Sequence, residues 1–147
     1  MEIERKFLIP TLPDNLESYD YHEIEQGYLC TSPVVRIRKE DENYYMTYKS
    51  KGLMIREEYN LPLTKDAYYH MKEKADGIVI CKTRYLIPLT DRLTIELDIF
   101  HNEYDGLYLA EVEFESEEEA NAFTPPTWFG EDVTCDGRYH NSTMSKK

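Results

Sequence analysis

The first six residues, Met-Glu-Ile-Glu-Arg-Lys, carry two carboxylates and an ammonium at alternate positions, Glu2, Glu4 and Lys6. Because successive side chains of a β-strand point to opposite faces, these three would share one face of a strand. Two carboxylates about 7 Å apart on one face can hold a hard divalent cation, and the ammonium suits an anion bound to that cation. Taken alone, the segment fits equally well the plainer interpretation of a strand face exposed to water, which is the commoner case.

Charged pairs of a single sign recur on other segments that alternate with apolar residues. The basic pairs are Arg36 with Arg38 and Lys82 with Arg84, and the acidic pairs are Glu96 with Asp98 and Glu111 with Glu113. A solvated sheet face usually mixes the two signs, and like charges on neighbouring positions repel unless counter-ions lie between them. A closed barrel with its polar face inward would gather these groups around a polyanion and its metal ion.

Short strands would have to position these charges. Strand-like runs cover residues 2–9, 23–30, 34–40, 43–50, 54–61, 78–87, 90–99 and 107–115. One helix is predicted to begin after an N-cap at Thr64 and to reach about Lys74, and a second follows a capping box that opens at Ser116 and continues to about Ala122. A short final helix is predicted within residues 137–147. Consecutive strands joined by tight turns predict an antiparallel meander that closes on itself.

Composition limits the classes of function. A net charge of −12 at pH 7 argues against nucleic-acid binding, which normally requires a basic surface, but allows an anionic ligand at a local cationic cluster. Three cysteines without metal-ligand spacing, and no apolar run near 18 residues, indicate a reducing, cytoplasmic location away from membranes. The 147 residues show no linker, so one domain spanning 1–147 is predicted, and a homodimer is the commonest default assembly.

The chain resembles the triphosphate tunnel metalloenzymes of the CYTH superfamily, in particular short bacterial members that hydrolyse inorganic tripolyphosphate. Its motifs follow the family's order over nearly the whole chain: Glu2-x-Glu4-x-Lys6, Gln26-Gly27-Tyr28-Leu29, Val35-Arg36-Ile37-Arg38, Tyr48-Lys49-Ser50, Arg56-x-Glu58, Lys82-Thr83-Arg84, Glu96-Leu97-Asp98-Ile99-Phe100, Leu109-Ala110-Glu111-Val112-Glu113-Phe114, and the stretch 128–141. Each motif is weakly specific by itself, whereas their order and spacing together are strongly specific.

The resemblance implies a fold and a chemistry. The fold is an eight-stranded antiparallel β-barrel that forms a tunnel with flanking helices, in the mainly β, α+β class. The chemistry is hydrolysis of a linear triphosphate that depends on Mg²⁺ or Mn²⁺. Many relatives carry a further carboxylate two residues after the position of Glu58, where this chain has Asn60. Occupancy of a second metal site is therefore left open.

The resemblance also assigns two sets of side chains. In the metal-binding set Glu2, Glu4, Glu111 and Glu113 form the cage, and Asp98, Glu96 and Glu58 complete or orient it. The substrate-binding set is Lys6, Arg36, Arg38, Lys49, Arg56, Lys82 and Arg84, in which arginines pair with phosphate oxygens bidentately and lysines act as point charges. Two roles for Lys82 stay open. With Tyr28 beside it, Lys82 either positions or deprotonates the attacking water, or it is one more phosphate-binding cation.

Other functions remain alternatives. Class IV-type adenylate cyclases and thiamine triphosphatases of the same fold hold a triphosphate in the same way and differ beyond its α-phosphate. A non-catalytic module that binds polyphosphate or a nucleotide is a hypothesis of another class, but binding a polyanion alone needs no paired carboxylates. A carrier of apolar ligands would need an apolar interior, which the charge alternation contradicts. The four histidines, including His140, lack ligand-like spacing and are assigned to surface or loop positions.

Overall fold

An antiparallel β-sheet that nearly closes into a barrel dominates the computed structural model, which describes residues 1–146. Within this part of the chain the sheet has nine strands, in the order β5-β1-β9-β8-β7-β2-β3-β4-β6. The strands are β1 (Glu2–Leu8), β2 (Asp20–Thr31), β3 (Val34–Glu40), β4 (Asn43–Lys49), β5 (Ile55–Arg56), β6 (Glu58–Pro62), β7 (Asp76–Pro88), β8 (Thr94–Phe100) and β9 (Tyr108–Glu113). All neighbouring strands of this sheet are antiparallel, so the predicted antiparallel barrel is confirmed.

One segment closes the barrel by changing partners. The sequence predicts a single strand over residues 54–61, whereas the structure has two short strands on either side of Glu57. β5 pairs with β1, which places Arg56 opposite Glu2, and β6 pairs with β4 from Glu58 onward. Because β5 and β6 lie at the two edges of the sheet, this segment joins both edges. The nine strands of the described chain thus differ from the predicted eight only because the fifth predicted strand, over residues 54–61, is interrupted where it exchanges one neighbouring strand for the other.

The helices are short and begin where the sequence indicates. Within residues 1–146 the α-helices are α1 (Lys65–Lys72), α2 (Glu117–Ala122) and α3 (Asn141–Met144), and single 3₁₀ turns cover Leu16–Ser18, Asn102–Tyr104 and Gly137–Tyr139. Thr64 Oγ1 accepts a hydrogen bond from Ala67 N, and Ser116 Oγ accepts one from Glu119 N, both at 3.1 Å. Both predicted N-caps are therefore confirmed, and α3 supplies the predicted final helix, although Lys147 lies outside the described residues. Over residues 1–146 no helix is long and apolar enough to cross a membrane.

The apolar core lies outside the barrel, between the strands and the segments that cover them. Outward-facing Ile3, Leu97 and Val112 are buried and belong to one cluster with Ala120 of α2. Since burying an aliphatic side chain contributes roughly 1.5–3 kcal/mol, this outer cluster stabilises the curved sheet. The sequence alternation therefore directs apolar side chains outward and charged side chains inward.

The C-terminal segment packs closely against the start of β7. Ile78 N donates a hydrogen bond to Ser145 O at 2.7 Å. Gly77 has a φ of +66°, which favours glycine, and a Cβ at this position would collide with the Ser145 carbonyl oxygen. The absence of a side chain at Gly77 therefore allows α3 to approach the barrel.

Candidate active site inside the barrel

The inward faces of the strands surround a cavity of about 280 Å³ whose wall is mostly charged. The predicted site residues that line it are Glu2, Glu4, Lys6, Tyr28, Arg36, Arg38, Lys49, Arg56, Glu58, Lys82, Arg84, Glu96, Glu111 and Glu113. Asp98, the remaining predicted site residue, lies behind the wall and is fully buried. Residues from distant parts of the chain meet here because alternate side chains of each strand point inward.

One side of the cavity concentrates carboxylates, and we call it the acidic wall. It comprises Glu2, Glu4, Glu58 and Glu113. The pairing of β1 with β9 places Glu4 directly opposite Glu113. Like charges opposed on neighbouring strands are destabilising, so this arrangement has an energetic cost in the absence of a counter-ion.

Burial and mutual repulsion change the protonation of the acidic wall. Burial, a hydrogen bond with Glu58 and the nearby charge of Glu4 raise the pKa of Glu2 to about 8. Burial and the charge of Glu111 raise the pKa of Glu4 to about 7. Burial also raises the pKa of Glu58, but the hydrogen bond with Glu2 and the charge of Lys49 outweigh it and lower the pKa to about 2. The Glu2–Glu58 pair therefore retains one proton near neutral pH.

The acidic wall fits a divalent cation by its chemistry, although its side chains do not converge on one point. Among residues 1–146 no group of three or more His, Cys, Asp or Glu is arranged to hold a metal ion. Glu2 Oε1 forms an ion pair with Lys49 Nζ at 3.1 Å, yet this buried oxygen accepts no hydrogen bond from the described residues. Carboxylate oxygens are the donors that Mg²⁺ and Mn²⁺ prefer, and here burial and mutual repulsion raise the pKa of Glu2 and Glu4, which a bound cation would reverse.

Two further carboxylates are paired with three cations, and we call these five residues the ion-pair cluster. It comprises Lys6, Lys82, Arg84, Asp98 and Glu111. Asp98 accepts two hydrogen bonds from Arg84, at 2.7 and 2.9 Å, and lies 2.8 Å from Lys82 Nζ. Burial raises the pKa of Asp98, but the Arg84 and Lys82 charges outweigh it and lower that pKa. The structure thus does not bring Asp98 to the cavity as a metal ligand, because both of its oxygens are already engaged behind the wall.

Another part of the cavity wall offers cationic donors. Arg36 Nη2 donates to Thr47 Oγ1 at 3.0 Å, whereas the buried Arg36 Nε has no hydrogen-bond partner among the described residues. Burial and the neighbouring charge of Arg38 lower the pKa of Arg36. Two adjacent buried guanidiniums, one with an unsatisfied donor, suit a polyanion that supplies both oxygens and negative charge.

Lys82 is buried where the ion-pair cluster meets the cavity. Its Nζ lies 2.8 Å from Asp98 Oδ2 and donates to Asn141 Oδ1 at 3.0 Å. Burial lowers its pKa to about 7; the charge of Asp98 opposes that shift and the charge of Arg84 adds to it. A lysine in this state carries a substantial neutral fraction near pH 7 and can accept a proton. Tyr28, which the sequence analysis places beside Lys82, lines the same cavity.

Sequence reasoning missed several residues of the cavity wall. These are Gln26, Glu40, Tyr45, His140, Asn141 and Ser142. His140 lies in a loop, as expected, but its side chain also lines the cavity, where burial together with the Lys6 and Arg56 charges lowers its pKa. The Tyr139 carbonyl oxygen also accepts a hydrogen bond from Lys6 Nζ at 3.0 Å. Only long-range packing brings this segment to the cavity, so no local spacing could have indicated it.

Comparison with known proteins identifies the family. The CYTH domain matches residues 1–132, and the chain therefore belongs to the CYTH domain family. An inorganic triphosphatase from Nitrosomonas europaea is 42% identical over 98% of this chain and 96% of its own length. An inorganic triphosphatase from Acetivibrio thermocellus is 34% identical over 99% of this chain and 93% of its own length.

A solved structure extends the likeness to the fold. The crystal structure of an inorganic triphosphatase superposes with a TM-score of 0.74 at 39% identity, covering all of this chain and 95% of the other. The family resemblance inferred from the motifs is therefore confirmed.

Proposed function

We propose that this protein is an inorganic triphosphatase, which hydrolyses tripolyphosphate with water to pyrophosphate and phosphate inside the barrel. The observation that carries the proposal is that one cavity holds both a buried guanidinium with an unsatisfied donor and an acidic wall in which burial and repulsion raise the pKa of Glu2 and Glu4. A polyanion with its metal ion would satisfy both sides at once. The names of the relatives from N. europaea and A. thermocellus support the same activity.

The basic side chains would hold the phosphate chain. Arg36 and Arg38 lie on one strand with both guanidiniums facing the cavity, and Lys49 and Arg56 face it from β4 and β5. Bidentate arginine contacts would orient the phosphoryl groups, and this orientation places the scissile bond against the attacking water. Positioning and charge stabilisation are the main protein contributions to phosphoryl transfer.

The acidic wall would hold Mg²⁺ or Mn²⁺, with Glu96 and Glu111 as neighbouring oxygen donors. Such an ion, when bound, neutralises phosphate charge and lowers the pKa of a coordinated water. Glu2 and Glu4 would have to lose the proton that burial and repulsion leave on them. Asp98 would act from behind the wall, by fixing Arg84 and Lys82.

Lys82 keeps its two candidate roles. The pKa of about 7 supports proton acceptance from the attacking water, while the position among cations equally supports phosphate binding. Under the first role, Lys82→Ala should reduce turnover by about 100-fold or more with little change in tripolyphosphate affinity, since general-base catalysis contributes roughly 10²–10⁴-fold. A parallel loss of affinity would instead favour the phosphate-binding role.

One assay tests the proposal against its alternatives. The protein is incubated with Mg²⁺ and, separately, tripolyphosphate, ATP or thiamine triphosphate, while released phosphate and cyclic AMP are measured. The cavity of about 280 Å³ is at the small end of ligand sites, which typically span ~300–1,000 Å³, and this favours the compact inorganic substrate. Cyclic AMP formation would indicate a cyclase, and tight tripolyphosphate binding without any turnover would indicate a non-catalytic binder.

A further inference from the structure

Two buried amide side chains connect three functional side chains of the cavity. Asn141 Oδ1 accepts hydrogen bonds from Lys82 Nζ at 3.0 Å and from Gln26 Nε2 at 2.9 Å. Gln26 Nε2 also donates to the Tyr28 hydroxyl at 3.2 Å, and Gln26 Oε1 accepts from Arg38 Nε at 2.9 Å. Lys82, Tyr28 and Arg38 therefore belong to one continuous set of hydrogen bonds, which we call the amide bridge.

The side chains at the two ends of the amide bridge, Lys82 and Arg38, determine which way each amide group points. An arginine side chain, like a protonated lysine, can only donate hydrogen bonds, and Arg38 therefore fixes Gln26 and through it Asn141. Asn141 must therefore turn its oxygen toward Lys82, and Gln26 must turn its oxygen toward Arg38. The Gln26 NH₂ group then points at Asn141 and Tyr28. Flipping either amide would place a donor against a cation, so only one arrangement satisfies both ends.

Burial makes this arrangement rigid. Gln26 is completely buried and Asn141 is 9% exposed. A buried amide that loses its partner incurs a desolvation penalty, so both amides are held in place. Asn141 itself is positioned by α3, whose C-cap residue, Ser145, accepts the hydrogen bond from Ile78 through its carbonyl oxygen.

Lys82 needs such a partner. Its side chain has four rotatable bonds. The single contact with Asp98 therefore does not fix the position of Nζ. The hydrogen bond to Asn141 supplies a second fixed point and defines the position of Nζ relative to Tyr28. Misplacement of a reacting group by about 1 Å can reduce a rate by about 100-fold.

We propose, building on the proposed triphosphatase function, that Gln26 and Asn141 act together as positioning residues that hold Lys82, Tyr28 and Arg38 in their working arrangement. The pair acts through these three side chains. Loss of Asn141 should therefore reduce turnover more than tripolyphosphate affinity. Loss of Gln26 should also weaken affinity, because Arg38 loses its acceptor.

A double-mutant cycle tests whether the amides act as one unit. Asn141→Leu, Gln26→Leu and the double variant are compared by steady-state kinetics with tripolyphosphate and Mg²⁺. Asn141→Leu is expected to lower kcat about tenfold with KM unchanged within about twofold. If the bridge is one unit, the double variant should lose no more kcat than the more damaged single variant. Losses that multiply toward about 100-fold, or an unchanged kcat in Asn141→Leu, would overturn the proposal.

A control variant and a second measurement separate this inference from the proposed function. Thr143→Ala changes an exposed side chain of the same helix and should leave kcat and KM unchanged. Denaturant midpoints of the same variants without substrate should also be non-additive, because removing both amides leaves no unpaired amide behind. Additive midpoints would refute the bridge even if the protein did not cleave tripolyphosphate, whereas inactivity of the unchanged protein would refute only the proposed function.

Discussion

The acidic wall and the ion-pair cluster contain the same kind of carboxylate, yet their pKa values shift in opposite directions. Glu2 and Glu4 have raised pKa values because burial and neighbouring carboxylates outweigh the cations beside them. Asp98 and Glu111 have lowered pKa values because lysine and arginine charges outweigh their burial. In the first region carboxylates repel one another in a way that a bound cation would relieve, whereas in the second lysines and arginines already neutralise the carboxylates.

Removal of a charge from the ion-pair cluster should have the largest effect on stability. Asp98→Asn would leave Lys82 and Arg84 buried without their shared counter-charge, and breaking a buried pair from one side typically costs about 3–5 kcal/mol. We expect a loss of this size in the free energy of unfolding at pH 7, measured by urea denaturation. A loss below about 1 kcal/mol would show that Glu96 and Glu111 can replace Asp98, and the contrast between the regions would fail.

Removal of a charge from the acidic wall should instead increase the free energy of unfolding at alkaline pH. The pKa of Glu4 is raised from 4.5 to about 7, so the folded protein binds more protons than the unfolded chain over this interval. Its contribution to stability is therefore complete below pH 4.5 and is lost as the pH rises through 7. Glu4→Gln should be as stable as the parent near pH 5 and more stable at pH 8.5, by about 1–3 kcal/mol, without divalent cations.

Urea denaturation at the two pH values measures this difference, and metal-dependent turnover provides a control for the same variant. Glu4→Gln should abolish the proposed metal-dependent activity while stabilising the protein at alkaline pH. A variant that is destabilised equally at both pH values would show that Glu4 behaves like a carboxylate of the ion-pair cluster rather than of the acidic wall.

Metal binding should sharpen the contrast by releasing protons from the acidic wall. At pH 7 Glu2 and Glu4 are partly protonated, and a bound cation requires their ionised forms. Mn²⁺ binding should therefore release about one proton and strengthen as the pH rises from 6 to 9. Calorimetry in buffers of different ionisation enthalpy measures the release, and pH-independent affinity without proton release would exclude these two carboxylates as ligands.

A surface pair sets the lower limit of these effects. Arg92 pairs with Glu115 and Glu119 on the outside of the protein, where its side chain is 60% exposed. Arg92→Ala should change the free energy of unfolding by no more than about 1 kcal/mol, and less in high salt. Thermal denaturation at two salt concentrations measures this change. A loss of stability as large as that of Asp98→Asn would show that burial does not determine how much an ion pair contributes to stability.

Local sequence patterns predicted much of the fold and the membership of the cavity wall. A period of two fixes which side chains share a strand face, so the inward set from Glu2 to Glu113 could be identified before any coordinates. Thr64 and Ser116 likewise marked helix starts, because an N-cap depends on contacts only three residues away. These inferences use interactions within one strand or one helical turn.

Tertiary structure decided the features that depend on distant contacts. Asp98 has the same parity as the cavity residues, but its hydrogen bonds to Arg84 hold it behind the wall. Asn141 reaches Lys82 across 59 positions of sequence, because the C-terminal helix packs beside Gly77. The order of residues along each strand is enough to establish which side chains share a face, because the extended backbone alternates them. Only closure of the barrel and docking of its C-terminal segment determined which of them meet, because such contacts depend on the packing of the whole chain.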